Sequence, residues 1–176
     1  MPRSAWPASD PAYQAGGIAL LLALASILGA LAFEHLWGLE PCPLCLQQRY
    51  AYYAGVPALF LALVLVAADR PRLAMLLFVA VALIFLANAA VGVYHAGVEW
   101  KFWLGPDTCS QPTGDLKPLG KALIDRLEKA RVVRCDVAPW RFLGISLAGW
   151  NAAVSLLITL AALQAATAAR MPRSAG

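Results

Sequence analysis

Four cysteines are the residues of this sequence best suited to chemistry, and they form two unequal pairs. Cys42 and Cys45 are separated by two residues in the stretch EPCPLCLQQR, whereas Cys109 and Cys135 stand far apart along the chain. A disulfide between Cys42 and Cys45 would close a minimal loop, so it would restrict the unfolded chain less than a long-range bridge. This spacing is typical of thiol–disulfide exchange, and two purely structural disulfides are the alternative.

The residues around Cys45 indicate how a thiolate would be stabilised. If the following helix begins near Pro43 or Cys45, the Cys45 sulfur lies at a helix N-terminus, where unpaired N–H groups and the helix dipole favour an anion. Arg49 follows four residues later and falls on the same helical face. Its guanidinium would further stabilise the thiolate and could donate a hydrogen bond to a ligand oxygen. The alternative for Arg49 is contact with lipid phosphate at the membrane surface.

The segments that must position these residues are strongly apolar. Of the 176 residues, 61% are hydrophobic and 14% are charged, a composition that excludes an ordinary soluble globular domain. Four stretches without Lys, Arg, Asp or Glu approach or exceed the ~20 residues that span a bilayer core. These stretches are 14–33, 50–68, 73–94 and 142–163. The sequence therefore predicts an all-α, polytopic membrane protein, a single domain over 1–176 built as a four-transmembrane-helix bundle.

The connections between the predicted helices place all four cysteines on one side of the membrane. The cysteines fall in the loops 34–49 and 95–141, whereas the opposite side has the short turn 69–72, which contains two arginines. Arginines in a short loop favour the cytoplasmic side, so both termini are predicted to be cytoplasmic and the cysteine loops external. The first apolar run is longer than the ~7–15 residues of a signal-peptide core, so we expect it to stay uncleaved.

The long loop contains a further predicted element. Eight Lys and Arg residues lie within 95–141, against five in the segments predicted to be cytoplasmic, so a simple charge count opposes the orientation given above. Much of this charge lies in 118–134, where Leu119, Leu123 and Leu127 recur at helical spacing opposite a charged face. The pattern predicts a short amphipathic helix on the bilayer surface, and an ordinary solvated helix is the equal alternative.

Three other classes of function compete with thiol exchange. A four-cysteine zinc site usually presents two closely spaced pairs, and the second pair here is not close, so no metal is expected. His35 and His95 end the first and third apolar segments on the cysteine side, which could suit a haem electron carrier but would leave the cysteines unused. A non-enzymatic membrane scaffold stapled by its cysteines is the third alternative. The net charge of +4 does not indicate nucleic-acid binding.

The cysteine stretch and its surroundings resemble a known family. Cys42-Pro43-Leu44-Cys45 followed by Gln47-Gln48-Arg49, at the mouth of the second helix, resembles the quinone-reactive motif of the bacterial disulfide bond formation protein B (DsbB) family. The resemblance covers residues 14–163. It also includes Tyr94-His95 at the end of the third helix, Cys109 in the long loop, and Cys135-Asp136 before Pro139-Trp140.

The resemblance implies a thiol:quinone oxidoreductase of the bacterial inner membrane, with its cysteine loops in the periplasm. The implied partner is a soluble thioredoxin-like oxidant of the DsbA type, and the implied electron acceptor is ubiquinone or menaquinone. The partner would attack a Cys109–Cys135 disulfide at Cys109, and Cys135 would then attack Cys42. The displaced Cys45 thiolate would donate its electrons to the quinone.

The resemblance also implies which residues bind the quinone. Arg49 would polarise a quinone oxygen, and His95 and Gln48 are the other polar candidates. Gln48 departs from the family pattern because some members carry a Glu there, which bears on the tuning of the quinone site. Quinone-linked thiol enzymes of the vitamin K epoxide reductase type are similar, but their CxxC begins the last helix instead of the second.

Overall fold

The computed structural model describes residues 10–106 and 134–170. Within these ranges the chain forms four long helices and one two-stranded hairpin. In chain order they are α1 (Pro11–His35), α2 (Pro43–Ala67), α3 (Pro71–Glu99), β1 (Arg141–Phe142), β2 (Ile145–Ser146) and α4 (Leu147–Arg170).

Proline starts three of the four helices. Pro11, Pro43 and Pro71 each occupy a first-turn position, where the missing N–H costs no hydrogen bond and the fixed φ suits a helix. The side chain of Asp10 also caps α1 by accepting a hydrogen bond from the N–H of Ala12 at 2.8 Å. Pro57 lies inside α2, and the helix continues through it. The helix starts are therefore encoded locally, before any packing.

The four helices close into a bundle in which each helix packs against two others. α1 contacts α2 and α4, and α3 contacts the same two helices. The centre is filled by fully buried side chains, among them Leu59, Phe78, Phe85 and Ile158. Alanines dominate the buried face of α4, and such small residues let neighbouring helices approach closely. Asn88 of α3 donates a hydrogen bond to Ser155 of α4 at 3.0 Å, as expected for a polar residue inside a span.

The outer surface of the bundle is apolar. Leu21, Phe60, Leu83 and Leu160 are each more than half exposed. All four helices are long and apolar enough to cross a membrane. The predicted all-α four-helix membrane bundle is thus confirmed. The C-terminal ends of α1 and α3 and the N-terminal ends of α2 and α4 lie at one end of the bundle, which we term the cysteine end.

The helix bounds differ from the predicted ones. The predicted ranges 14–33, 50–68 and 73–94 are too short. Each apolar run ends at the first charged or polar turn, whereas the helical hydrogen bonding continues beyond it. The last helix begins at Leu147 instead of 142, because 141–146 form a hairpin whose turn residues Leu143 and Gly144 have φ of 51° and 80°. The first loop shrinks accordingly to 36–42. The predicted amphipathic segment 118–134 lies outside the described residues except for its last position.

Gly55 of α2 is a point of close helix packing and gives a stability prediction. A Cβ at this position would lie 2.4 Å from Cε2 of Phe85, a ring with no exposed surface that has little room to move. We expect Gly55→Ala to lower the free energy of unfolding by about 1–3 kcal/mol. Thermal unfolding in detergent, followed by circular dichroism, measures this effect.

Gly17→Ala is the matched control, because no atom lies within 4 Å of a Cβ built there. This substitution should be neutral or stabilising by up to ~1 kcal/mol, since alanine favours a helix more than glycine does. Equal unfolding temperatures for the two variants would contradict the packing argument.

Candidate functional site

The Cys42–Cys45 pair lies at the start of α2. Cys42 is the N-cap residue, and its sulfur accepts a hydrogen bond from the N–H of Cys45 at 3.2 Å. Both cysteines are free, and their sulfurs are 2.8 Å apart. The predicted anion at Cys45 is therefore corrected. The helix begins one residue after Cys42, so the free N–H group of the first turn and the helix dipole act on the Cys42 sulfur.

Cys42 is buried, and its sulfur has a second stabilising neighbour. Nε2 of His95 lies 3.6 Å from the Cys42 sulfur, within the hydrogen-bonding range of sulfur. The hydrogen bond from the Cys45 thiol, helped by His95, outweighs burial and lowers the pKa of the Cys42 thiol to about 5. At neutral pH the dithiol form of this pair therefore has a thiolate at Cys42.

A chain of hydrogen bonds crosses the bundle and fixes the orientation of His95. The Tyr52 hydroxyl donates to the side-chain oxygen of Asn151 at 2.5 Å, and the Asn151 amide donates to the oxygen of Gln48 at 2.5 Å. The Gln48 amide then donates to Nδ1 of His95 at 2.9 Å. Because Nδ1 accepts this bond, the ring proton of neutral His95 is on Nε2, where it points at Cys42. Gln48 thus contacts His95, as well as bordering the cavity described below.

Arg49 is paired with a carboxylate from another helix. Its guanidinium forms a salt bridge with Glu34 of α1 and also donates to the backbone carbonyl oxygen of Ala30 at 3.4 Å. The Arg49 side chain is 11% exposed and Glu34 is 28% exposed, so the pair is largely withdrawn from water. The salt bridge holds the guanidinium beside Cys45 and Gln48 at the wall of the cavity.

A cavity of about 310 Å³ opens beside the cysteine pair. It lies among α1, α2 and α4, and most of its lining is apolar. The polar groups that border it include Cys45, Gln48, Arg49, His95 and Asn151. Cys42 is not among the lining residues, so the two sulfurs of the pair differ in their surroundings. A largely apolar cavity of this size with a few converging polar groups is typical of a small-molecule site.

Cys135 packs on the other side of the pair. It is 1% exposed and belongs to a small buried cluster with Cys42 and Leu44, against which Cys45 also packs. Cys135 is disulfide-bonded, and its bonding partner is outside the described residues, as is Cys109. The structure therefore brings Cys135 to the Cys42–Cys45 pair. The role of Cys109 as the site of attack by the partner stays a prediction.

Ion pairs tie the segment that carries Cys135 to α3. Asp136 accepts hydrogen bonds from Arg134 at 2.8 and 2.6 Å, and Lys101, just after α3, forms a salt bridge with the same carboxylate. These contacts hold the pKa of Asp136 well below its usual range. Lys101 also donates to the backbone oxygen of Asp136 at 3.0 Å, so the residue after Cys135 is fixed relative to His95.

The geometry also bears on the metal and haem alternatives. The ligand atoms of Cys42, Cys45 and His95 lie within 4.8 Å of one another, which is one ligand short of the four in a structural zinc site. The four-cysteine zinc site is contradicted, because Cys135 is already bonded in a disulfide. His35 is exposed at the end of α1, whereas both ring nitrogens of buried His95 face protein groups. A haem held by these two histidines therefore has no support in this geometry.

Several polar residues near the site escaped the sequence analysis. Glu34, Glu99 and Asn151 were not predicted to be near the site, and Asn151 links Gln48 to Tyr52. The available signal was the rarity of polar side chains in apolar helices, where they usually have a function. Which of them meet could not be read from the sequence, because the contacts join positions far apart in the chain.

The pKa of Cys42 gives a direct prediction for the reduced pair. We expect the rate of Cys42 alkylation by iodoacetamide to be constant at neutral pH and to fall as the pH is lowered through about 5. An ordinary thiol loses reactivity below its pKa of ~8.5, because only the thiolate reacts. Mass spectrometry of the Cys42 peptide after short labelling pulses measures the profile.

His95→Ala is the comparison variant for this profile. It removes the N–H next to the sulfur, so the midpoint should rise by about one pH unit. A wild-type midpoint near 8.5 would show that the contacts at Cys42 do not stabilise a thiolate.

Comparisons with known proteins agree on one family. Residues 14–165 match the family model described as "Disulfide bond formation protein DsbB". Among similar proteins, disulfide bond formation protein B of Acinetobacter baumannii is 37% identical over 81% of this chain and 85% of its own length. The protein of the same name from Acinetobacter baylyi is 36% identical over 80% and 84%. That of Xanthomonas oryzae is 32% identical over 85% and 90%. No solved structure gave a significant match.

Proposed function

Because the chain belongs to the DsbB family of disulfide bond formation proteins, we propose that it reoxidises a soluble thioredoxin-like protein of the DsbA type and passes the electrons to a membrane quinone. The reaction class is thiol:quinone oxidoreduction, which sustains disulfide formation in other proteins. Both the DsbA-type protein and the quinone would react at the cysteine end of the bundle.

One observation carries this proposal. The Cys42–Cys45 pair lies between the buried, disulfide-bonded Cys135 and a largely apolar cavity. Cys42 contacts the Cys135 cluster, whereas Cys45 borders the cavity. A pair arranged in this way can exchange a disulfide with one neighbour and give up electrons to a ligand on the other side. A purely structural pair would have no need of the cavity.

The proposed exchange uses thiolate attack at each step. The partner's thiolate attacks Cys109 of a Cys109–Cys135 disulfide, forming a mixed disulfide at Cys109 and releasing Cys135 as a thiolate. Cys135 then attacks Cys42 of the oxidised Cys42–Cys45 pair, forming a Cys135–Cys42 bond and releasing Cys45 as a thiolate beside the cavity. The partner's second thiol closes its own disulfide and frees Cys109. Cys109 then attacks Cys135 of the Cys135–Cys42 bond, which re-forms the Cys109–Cys135 disulfide and releases Cys42, so that the Cys42–Cys45 pair is left as the dithiol that the quinone oxidises.

The residues that border the cavity fit a quinone. The largely apolar lining suits a ring with an isoprenoid tail, and the volume of about 310 Å³ lies in the range of small-molecule sites. Cys45, Gln48, Arg49 and His95 would hold the head group, with the Arg49 guanidinium donating to a ring oxygen. When bound, ubiquinone or menaquinone supplies a lipid-soluble acceptor of two electrons and two protons.

The proposed reaction also sets the location and orientation. A partner that introduces disulfides works outside the reducing cytoplasm, so we place the cysteine end on the periplasmic face of the bacterial inner membrane. Both termini then lie in the cytoplasm, together with the short turn that contains Arg70 and Arg72. Trp37, Trp100, Trp103 and Trp140 are partly or largely exposed at the cysteine end, which suits a membrane–water interface.

A reconstituted assay tests the proposed function. Purified chain is mixed with a reduced DsbA-type protein and ubiquinone, and the loss of quinone absorbance is followed. Catalysed reduction that requires both substrates is the expected result. Replacing the partner by dithiothreitol isolates the quinone half of the reaction. Absence of catalysis with both ubiquinone and menaquinone would overturn the proposal.

A further inference from the structure

A buried carboxyl group lies behind the cysteine pair and has no part in the exchange steps above. Glu99, the last residue of α3, is 7% exposed, and its Oε2 has no hydrogen-bond partner among the residues the structure describes. Its Oε1 lies 4.0 Å from Nε2 of His95, one turn earlier on the same helix. Burying a carboxylate without full hydrogen bonding is unfavourable, so a group kept in this place calls for a function.

The groups that face Glu99 come from several elements. His95 approaches it from α3, and Cys42 and Cys45 approach from the start of α2. Arg141 of β1 and the buried hydroxyl of Ser146 of β2 lie on the hairpin side. Arg141 is exposed to solvent, so the buried O–H and N–H donors that face the carboxyl group are those of the Ser146 hydroxyl and the His95 ring, of which only His95 can carry a charge.

The His95 N–H faces two groups that can each carry a negative charge. Since Gln48 donates to Nδ1, the single ring proton of neutral His95 is on Nε2. Nε2 lies 3.6 Å from the Cys42 sulfur and 4.0 Å from Oε1 of Glu99, so its N–H is within reach of both groups. Two anions side by side in a buried place repel each other strongly, so such groups share one proton and one negative charge.

We propose that Glu99 holds the proton that the Cys42 thiol loses on becoming a thiolate, and that it releases this proton when the Cys42–Cys45 disulfide closes. The inference rests on the proposed function. In the dithiol form, Cys42 is a thiolate and Glu99 is a neutral acid. In the disulfide form, Cys42 is neutral and Glu99 is a carboxylate. His95 donates its N–H to whichever of the two is ionised.

The proton count of the reaction supports this role. Oxidation of the Cys42 thiolate and the Cys45 thiol to a disulfide releases two electrons and one proton. Reduction of a quinone to a quinol consumes two electrons and two protons. Glu99 supplies the second proton. The His95 ring lies next to Glu99 and also borders the cavity. The buried site has the same net charge before and after the reaction, so no charge is added to or lost from a region of low dielectric.

Redox-difference infrared spectroscopy tests the inference on the protein itself. The pair is reduced with dithiothreitol, so the measurement needs neither quinone nor protein partner. We expect a protonated-carboxyl signal in the dithiol form that is lost in the disulfide form. It should shift in protein grown with 13C-labelled glutamate and be absent from Glu99→Gln. It should persist in Asp10→Asn, a control at the far end of the bundle whose asparagine can still cap α1.

Quinone reduction measured on the same preparation separates the two levels of the proposal. We expect Glu99→Gln to reduce quinone about tenfold more slowly than the wild type, since a proton source is lost. A wild-type protein that reduces quinone but shows no redox-linked glutamate signal overturns the role of Glu99 alone. A redox-linked protonated-carboxyl signal that persists in Glu99→Gln also overturns the role of Glu99. If Glu99→Gln fails to fold, the labelled wild-type protein still decides the question. Failure of the wild type to reduce quinone overturns the proposed function instead.

Discussion

Replacing Cys45 by serine is expected to reduce catalysed quinone reduction to the background rate while leaving the bundle folded. Cys45 is the only sulfur of the CxxC pair among the residues that line the cavity. A serine hydroxyl cannot form the disulfide or supply the electrons, so the loss should exceed ~10³-fold, as for other essential nucleophiles. The quinone absorbance assay with dithiothreitol as the reductant measures the effect.

Circular dichroism and thermal unfolding of the reduced proteins provide the control for Cys45→Ser. Serine is close in size and can still donate a hydrogen bond to the Cys42 sulfur, so we expect a change in unfolding free energy below ~1 kcal/mol. Full activity in a folded variant would exclude Cys45 as the electron donor. A variant that loses its helices would instead favour the cysteine-stapled scaffold.

Replacing Arg49 by methionine is expected to lower kcat/KM for quinone by about 10–100-fold, mainly through a higher KM. Methionine retains an unbranched apolar chain, so the packing at the cavity wall changes little, whereas the guanidinium proposed to donate to a quinone oxygen is lost. Arg49→Lys should give an intermediate result, because a lysine keeps the charge but lacks the planar fork. Stopped-flow measurements over a range of quinone concentrations separate KM from kcat.

The salt bridge complicates this substitution, because Arg49→Met leaves the half-buried carboxylate of Glu34 without its partner. The double variant Glu34→Gln with Arg49→Met removes that charge as well. If the double variant is as slow as Arg49→Met, the guanidinium acts on the quinone. If activity returns, Arg49 serves only to neutralise Glu34. A quinone-free single turnover with the reduced partner should change much less in these variants than quinone reduction does, since it involves no contact between Arg49 and a quinone oxygen.

Hydropathy predicted the four spans but not the ends of the helices. Apolar runs report the thickness of the lipid core, whereas a helix ends where its capping and backbone hydrogen bonds end. The first turns of α2 illustrate the difference. Gln48 and Arg49 are polar and fall outside the apolar run 50–68, yet the helix begins before them at Pro43, one of the two starts considered from the cysteine motif. The hairpin before α4 was missed because Leu143 adopts a conformation that a leucine rarely takes.

The cysteines, Arg49 and His95 could be named from residue types and spacing, because their chemistry is visible in the sequence. Their partners could not be named in the same way. The contacts of Arg49 with Glu34 and of Gln48 with Asn151 join different helices, and the rotation of each helix about its axis decides them. The ionisation preference of the pair was likewise placed on the wrong sulfur, since it depends on a single residue at the start of α2.

The burial of the Cys42 and Cys135 sulfurs affects how fast small thiols can react with them. Cys42 is 5% exposed and Cys135 is 1% exposed, so glutathione and other small thiols of the aqueous phase should reach either sulfur slowly. If the proposed function holds, a docked protein partner should reduce this protein much faster than a small soluble thiol does. Burial therefore protects these two sulfurs kinetically, by slowing their reaction with small thiols.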